Sequence, residues 1–219
     1  MYTYFNMHTH HPTGGASVLE VENLYPDQMA SGKTPCCSAG LHPWFLKEGE
    51  LESARRWLDE QSGLPTTCAI GEAGLDKVCD TPWDLQEEAF RYCIKVSEMV
   101  QKPLVLHCVR AYNETIALKK ELHAQQPWIF HGYNKSPEMA RLLLDAGCFL
   151  SFGKALFNTH NHSSEVLKMM PEDRFFLETD DTGDLDIATV YERAAEIRHV
   201  SVSEIREILE RNVRNCLRI

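Results

Sequence analysis

Eight short, mostly apolar runs recur along this chain, and longer amphipathic stretches separate most of them. The runs lie near residues 2–8, 17–22, 35–41, 66–71, 103–107, 128–131, 148–152 and 174–178. Such alternation marks a parallel sheet with covering helices, because each parallel connection must cross back over the sheet. Several runs are apolar throughout, as befits strands buried on both faces. Eight strands close a TIM-type (β/α)8 barrel, and 219 residues suffice for one such domain, residues 1–219. No linker, low-complexity tract or internal repeat interrupts the pattern.

Helices are predicted near residues 50–61, 82–101, 113–125, 137–146, 163–169 and 185–197, with a last one over 203–217. Pro82 and Pro137 suit first-turn positions, where the missing N–H costs little. Ser201-Val-Ser-Glu204 reads as a capping box. Residues 11–16 and 23–33 are too short for ordinary crossover helices. The barrel is therefore expected to have abbreviated first βα units, with the helices after strands 1 and 2 short or missing. Cover there would come from the terminal helix or from a partner.

Composition narrows the function classes. The hydrophobic fraction of 43% and charged fraction of 25% are ordinary for a globular chain. No apolar run is long enough to cross a bilayer, and the N-terminus lacks the basic start of a secretory signal. A net charge of −10, with no Lys/Arg-rich run, argues against a broad duplex-DNA footprint. It leaves a phosphate substrate open, since two divalent cations would add about four positive charges locally. No segment marks a protein partner. Eight cysteines occur without a Cys-x-x-Cys. Cys68, Cys93, Cys108, Cys148 and Cys216 read as small buried residues, and Cys36 and Cys37 should point to opposite faces of a strand. A reducing cytoplasm is the expected location.

Residues able to bind a metal stand at or near the ends of several runs: His8 and His10, Glu72, His107, His131 and Asp180. A parallel barrel gathers such ends at one mouth. Imidazoles mixed with carboxylates are what a divalent pair requires, the acids offsetting charge and bridging. His8 and His10, two residues apart, share one side of an extended segment. Gly71 and Gly74 flank Glu72 and permit close backbone approach. Each residue alone has a bland reading as a satisfied core histidine or a solvated acid. His160-Asn-His162 has the same spacing as His8-Thr-His10 and is assigned to solvent or helix capping. The repetition at successive strand ends carries the metal reading.

Taken with Gly40-Leu-His42-Pro43-Trp44, Ala69-Ile-Gly-Glu-Ala-Gly-Leu-Asp76, Pro103-Leu-Val-Leu-His107, His131-Gly-Tyr and Leu177-Glu-Thr-Asp180, these residues give almost the whole chain a likeness. It resembles the TatD family of metal-dependent hydrolases and deoxyribonucleases. The resemblance implies one cation on His8, His10, Glu72 and Asp180, and a second on Glu72, His107 and His131. Glu72 and Asp180 would be catalytic, Asp180 orienting water or taking its proton. His42, Trp44 and Arg110 would contact substrate. Zn, Mn, Fe or Ni suits this ligand set better than Mg alone. Three segments depart from the family pattern: Asn6 replaces an acid, Arg110 is displaced by one position, and His131-Gly-Tyr-Asn-Lys135 is altered.

The implied function is two-metal activation of water for phosphodiester hydrolysis, as in a deoxyribonuclease acting on nucleic-acid ends. Trp44, Phe45, Tyr112 and Tyr133 near strand ends offer rings on which a base can stack. Alternatives are a two-metal hydrolase of a small ester, lactone or amide, and a catalytically silent metal-binding module.

Overall fold

The computed structural model of the chain describes residues 2–218. Its strands are β1 (Tyr4–Thr9), β2 (Val18–Leu24), β3 (Cys36–Ala39), β4 (Thr67–Asp76), β5 (Leu104–Val109), β6 (Trp128–Phe130), β7 (Phe149–Phe152) and β8 (Phe175–Leu177). Helices α1 (Leu51–Ser62), α2 (Trp83–Val100), α3 (Tyr112–Glu121), α4 (Pro137–Asp145) and α5 (Ser163–Met169) alternate with β3 to β8. Helices α6 (Ile187–Arg198) and α7 (Val202–Leu217) follow β8. The sheet order is β1 to β8 in sequence. Parallel registers join β1 to β2, β3 to β4 to β5, and β6 to β7 to β8. Thr9 and Asp180 form a further parallel bridge between the β1 end and the segment after β8. This is the α/β barrel of the TIM type. Among the described residues, no helix lies between β1 and β2 or between β2 and β3.

The chain divides into two compact units. The first holds the N-terminal segment up to Glu22, Ser31–Pro35 and everything from Ile129 onward. Its core includes Phe152, Phe175, Phe176 and Tyr191, all essentially sealed from solvent. Each such ring contributes roughly 1.5–3 kcal/mol of burial. Tyr191 of α6 accepts from the Phe5 amide (2.9 Å) and donates to the Phe5 carbonyl (3.1 Å), tying the helix to β1. Helix α7 also packs on β1, where Arg206 lies over the Tyr4 ring, so the terminal helix supplies cover for this strand. Ser201 and Glu204 form the capping box that starts α7.

Buried carboxylates hold the short connections in place. Glu20 accepts from the Thr13 amide (2.8 Å), the Thr13 hydroxyl (3.1 Å) and the Gly14 amide (2.9 Å). Glu22 accepts from the Ser31 amide (3.0 Å) and hydroxyl (2.9 Å). Each acid satisfies backbone donors that a helix would otherwise have paired internally.

The second unit comprises Asn23–Ala30 and Cys36–Trp128. Strand β4 is its axis, buried along all ten residues. It runs on to Asp76, so Glu72 lies inside the strand rather than at its end, a correction to the sequence reading. The register against β5 shifts between Ile70 and Ala73, around Glu72. Gly71 (φ 137°) and Gly74 (φ 144°) make this course possible. A Cβ on Gly74 would stand 2.0 Å from the His107 carbonyl oxygen, and one on Gly71 2.3 Å from that of Val105.

A second correction concerns cysteine. Cys36 and Cys68 are joined by a disulfide, their Cα atoms 5.7 Å apart. Parallel pairing sets Cys37 opposite Thr67, which brings the starts of β3 and β4 within bridging distance. Sequence spacing alone carries no such information. The cytoplasmic expectation rested on every cysteine being a thiol and loses that support. Cys93 and Cys216 are buried thiols, and desolvation pushes both up to about 12. No described helix is long and apolar enough to cross a membrane.

Candidate metal centre

In the first unit, backbone pairing fixes the side chains. The Asp180 amide donates to the His8 carbonyl (3.0 Å), and the His10 amide donates to the Asp180 carbonyl (3.0 Å). Asp180 adopts φ 55°, a left-handed conformation that aspartate tolerates better than most residues. His8 Nε2 and His10 Nε2 each lie 3.6 Å from Asp180 Oδ1, and His131 Nδ1 lies 4.0 Å from it. The His8 ring meets those of His10 and His131 at centroid separations of 5.0 and 4.5 Å. Ligand atoms of His8, His131 and Asp180 all fall within 4.8 Å of one another. The gaps to Asp180 exceed hydrogen-bond length. They approach the ~3.0–3.4 Å separating two donors that are each ~2.1 Å from a shared cation.

Asn6, where the family pattern has an acid, makes no part of this group. Its Nδ2 donates to Thr179 Oγ1 (2.8 Å) and its Oδ1 accepts from the Thr179 amide (3.0 Å). An aspartate would lose the amide donor from this clasp between β1 and the segment after β8. Glu178, by contrast, belongs beside the group and was missed from sequence. It is fully buried, with Oε1 accepting from the Gly132 amide (2.6 Å) and lying 3.6 Å from His131 Nδ1. Its other oxygen has no hydrogen-bond partner among the described residues. A sealed carboxylate in that state calls for nearby positive charge.

The second unit assembles Glu72, His107 and His42. Glu72 Oε1 lies 3.1 Å from both His42 Nε2 and His107 Nδ1. Tyr25 donates its hydroxyl to Glu72 Oε2 (2.8 Å), and the Glu72 amide donates to Asn23 Oδ1 (2.7 Å). The hydrogen-bond network assigns the protons. The Trp44 amide donates to His42 Nδ1 (3.1 Å), so the proton of the neutral ring sits on Nε2, which donates to Glu72. His42 is therefore a donor to oxygen in this arrangement rather than a metal ligand.

His107 has the opposite arrangement. Its Nε2 is 3.0 Å from Asp76 Oδ2, a carboxylate that only accepts, so the neutral ring carries its proton there. Nδ1 then presents a lone pair to Glu72 Oε1 at 3.1 Å. Two acceptors at that distance require a proton or a cation between them. Carboxylate–histidine–metal triads have this form, the acid fixing tautomer and ring orientation. Asp76 is itself held: Trp44 Nε1 donates to Oδ2 (2.7 Å) and the Val78 amide to Oδ1 (2.7 Å). Gln86 brackets its backbone by accepting from the amide (2.8 Å) and donating to the carbonyl (3.0 Å). Burial opposes ionisation of Asp76, but His107, Trp44 and Val78 together hold the carboxyl below its ordinary range.

Both donor sets thus fit a divalent cation in chemistry and spacing. The first unit gathers His8, His10, His131 and Asp180. The second gathers Glu72 and His107, with His42 as proton donor and Trp44 as a brace for both histidines. Arg110 is exposed at φ 55°, and no hydrogen bond or ion pair of its side chain joins it to the group among the described residues. Tyr133 is buried and donates to the Ser136 carbonyl (2.8 Å), which makes it a core residue rather than a stacking surface. His162 is exposed and pairs with Glu165 at 3.1 Å. Asp76 and Glu178 were missed because their roles lie in what they hold, yet both stand within the motif segments Ala69–Asp76 and Leu177–Asp180.

Comparison with known proteins identifies the family. The profile of the TatD related DNase family matches residues 16–218. An uncharacterized metal-dependent hydrolase of Buchnera aphidicola is 34% identical over 146 residues, covering 65% of this chain but 54% of its own length. The Bacillus subtilis metal-dependent hydrolase YabD is 31% identical over 178 residues, covering 74% of this chain and 70% of its own. The 3'-5' ssDNA/RNA exonuclease TatD of Citrobacter rodentium is 26% identical, covering 74% and 65%. Among solved structures, the TatD homolog YjjV of Escherichia coli superposes with a TM-score of 0.82 at 18% identity, covering 99% of this chain and 98% of its own. The chain belongs to the TatD-related family.

Proposed function

We propose that this chain is a divalent-metal-dependent phosphodiesterase that hydrolyses nucleic-acid ends, single strands above all. The observation carrying this reading is the pair of donor sets, His8/His131/Asp180 and Glu72/His107, each spaced for coordination. His8, His10, Glu72, His107, His131 and Asp180 supply the ligands. Bound cations would lower the pKa of water and neutralise charge on the phosphoryl group. Asp180, partly open to solvent, takes the proton from the attacking water. His42, protonated on Nε2, donates to Glu72 Oε1 and so helps to orient that ligand beside the substrate. Asp76 and Tyr25 keep His107 and Glu72 in place. The exonuclease named among the relatives supports the substrate class.

Purified protein freed of contaminating nuclease should digest single-stranded DNA with added Mg2+, Mn2+ or Zn2+, and Glu72→Gln should reduce the rate to background. Equal activity in the variant would defeat the reading. The displaced Arg110 and the net charge of −10 favour a second one, hydrolysis of a small ester, lactone or amide by the same residues. A substrate panel with metal-replete protein separates the two.

A further inference from the structure

A cavity of about 390 Å3 lies in the second unit directly beside His42. That volume is within the ~300–1,000 Å3 range of small-molecule sites. Leu41 and His42 are buried at its floor, and Tyr25 and Trp57 form half-buried walls. At the mouth Phe45 keeps 53% of its surface exposed, an unusual state for a large apolar ring. Phe45 is not a stray side chain: its ring sits 4.7 Å from Tyr25 and 5.3 Å from His42, centroid to centroid. Polar groups lining it include the acceptors Asp27 and Glu50 beside Gln28 and Ser53. The one cation among the lining residues, Lys47, is already 3.3 Å from Glu50.

This chemistry selects an occupant. With Lys47 and Glu50 paired, Asp27 leaves the rim net negative, which disfavours a phosphate or a fatty carboxylate. Aromatic walls with acceptors at the mouth favour a flat, uncharged ring bearing N–H groups. We propose that this groove receives the unpaired nucleobase next to the scissile phosphodiester, its ring packed on Phe45 and its N–H edge facing Asp27. The position follows from His42, which forms the floor of the groove while donating its Nε2 proton to Glu72. The role of the groove in turnover rests on the phosphodiesterase reading; base binding as such does not. A chain of net charge −10 gains little from tracking a phosphate backbone away from the metal-binding residues, and stacking adds hold there.

The test pairs binding with kinetics. Binding of 2'-deoxyadenosine, followed by tryptophan fluorescence quenching, should saturate, with Phe45→Ala weakening it about 5- to 150-fold. Phe45 is exposed, so the variant should fold normally. In turnover, Phe45→Ala should lower kcat/KM for a dinucleotide by the same range. It should leave the same phosphodiester flanked by abasic sugars unchanged. Absence of quenching, unchanged affinity in Phe45→Ala, or equal loss on dinucleotide and abasic substrates would overturn the proposal. Phe45-dependent binding without hydrolysis of any phosphodiester would uphold the groove and refute the phosphodiesterase reading instead.

Discussion

Replacing Trp44 by phenylalanine tests the brace around His107 without touching a ligand. The change removes one donor, the indole N–H at 2.7 Å from Asp76 Oδ2, and keeps the ring and the backbone amide that sets the His42 tautomer. A hydrogen bond to a charged acceptor contributes about 1.5–3 kcal/mol. Trp44 is 57% exposed, so water can replace part of the lost bond and the lower figure applies. About 1.5 kcal/mol corresponds to roughly tenfold in affinity. That is the lower end of the 10–100-fold expected when a carboxylate supporting a metal-bound histidine is disturbed. Competition of Mn2+ or Zn2+ between the protein and a chelator measures the effect directly. Trp44→Phe should bind metal about tenfold more weakly with little change in melting temperature. Asp76→Asn should bind more weakly still, and the double variant should be little worse than Asp76→Asn alone, because both act through one contact. Affinity within twofold of the parent for Trp44→Phe, or strict additivity in the double variant, would refute the reasoning.

Gly74→Ala should destabilise the protein by at least about 3 kcal/mol in denaturant titration, since it combines a forbidden φ with a backbone clash. Cys36→Ser should cost about 3–4 kcal/mol relative to the oxidised parent, from the loop closed by a separation of 32 residues, and little relative to the reduced parent. Acid should reveal Asp76. Its folded pKa is lowered, so its contribution is complete above the ordinary value of about 3.9 and is lost as pH falls through the folded value. The stability difference between parent and Asp76→Asn should be flat above about pH 5 and shrink below about pH 4. A difference that grows on acidification would contradict the sign.

Strand positions were legible because parallel strands buried on both faces are apolar throughout, and all eight runs became strands. Strand ends were less so. The run holding Glu72 looked finished at Gly71, but Ala73, Gly74 and Leu75 continue it, their pairing with β5 resuming beyond the register shift in which Glu72 sits. Ligand candidates were visible one by one as imidazoles and acids after apolar runs. Their supports were not, because Asp76 and Glu178 are defined by contacts with residues 30 or more positions away, such as His107 and His131. The disulfide was hidden for a related reason: Cys36 meets Cys68 only because β3 and β4 start side by side. Asn6 stands where the family pattern has an acid. Its amide instead serves a hydrogen-bond pattern that an acid cannot complete.

The bridge between Thr9 and Asp180 has a consequence for synthesis. His8 and Asp180, 172 positions apart in sequence, are made neighbours by main-chain bonds between β1 and the segment after β8. A nascent chain emerging from the ribosome therefore lacks the His8/His131/Asp180 set until residue 180 has cleared the exit tunnel. Metal capture by that set requires that Asp180 has been made and has paired with β1, and truncation before Asp180 should leave His8 and His10 with no more affinity than a free peptide.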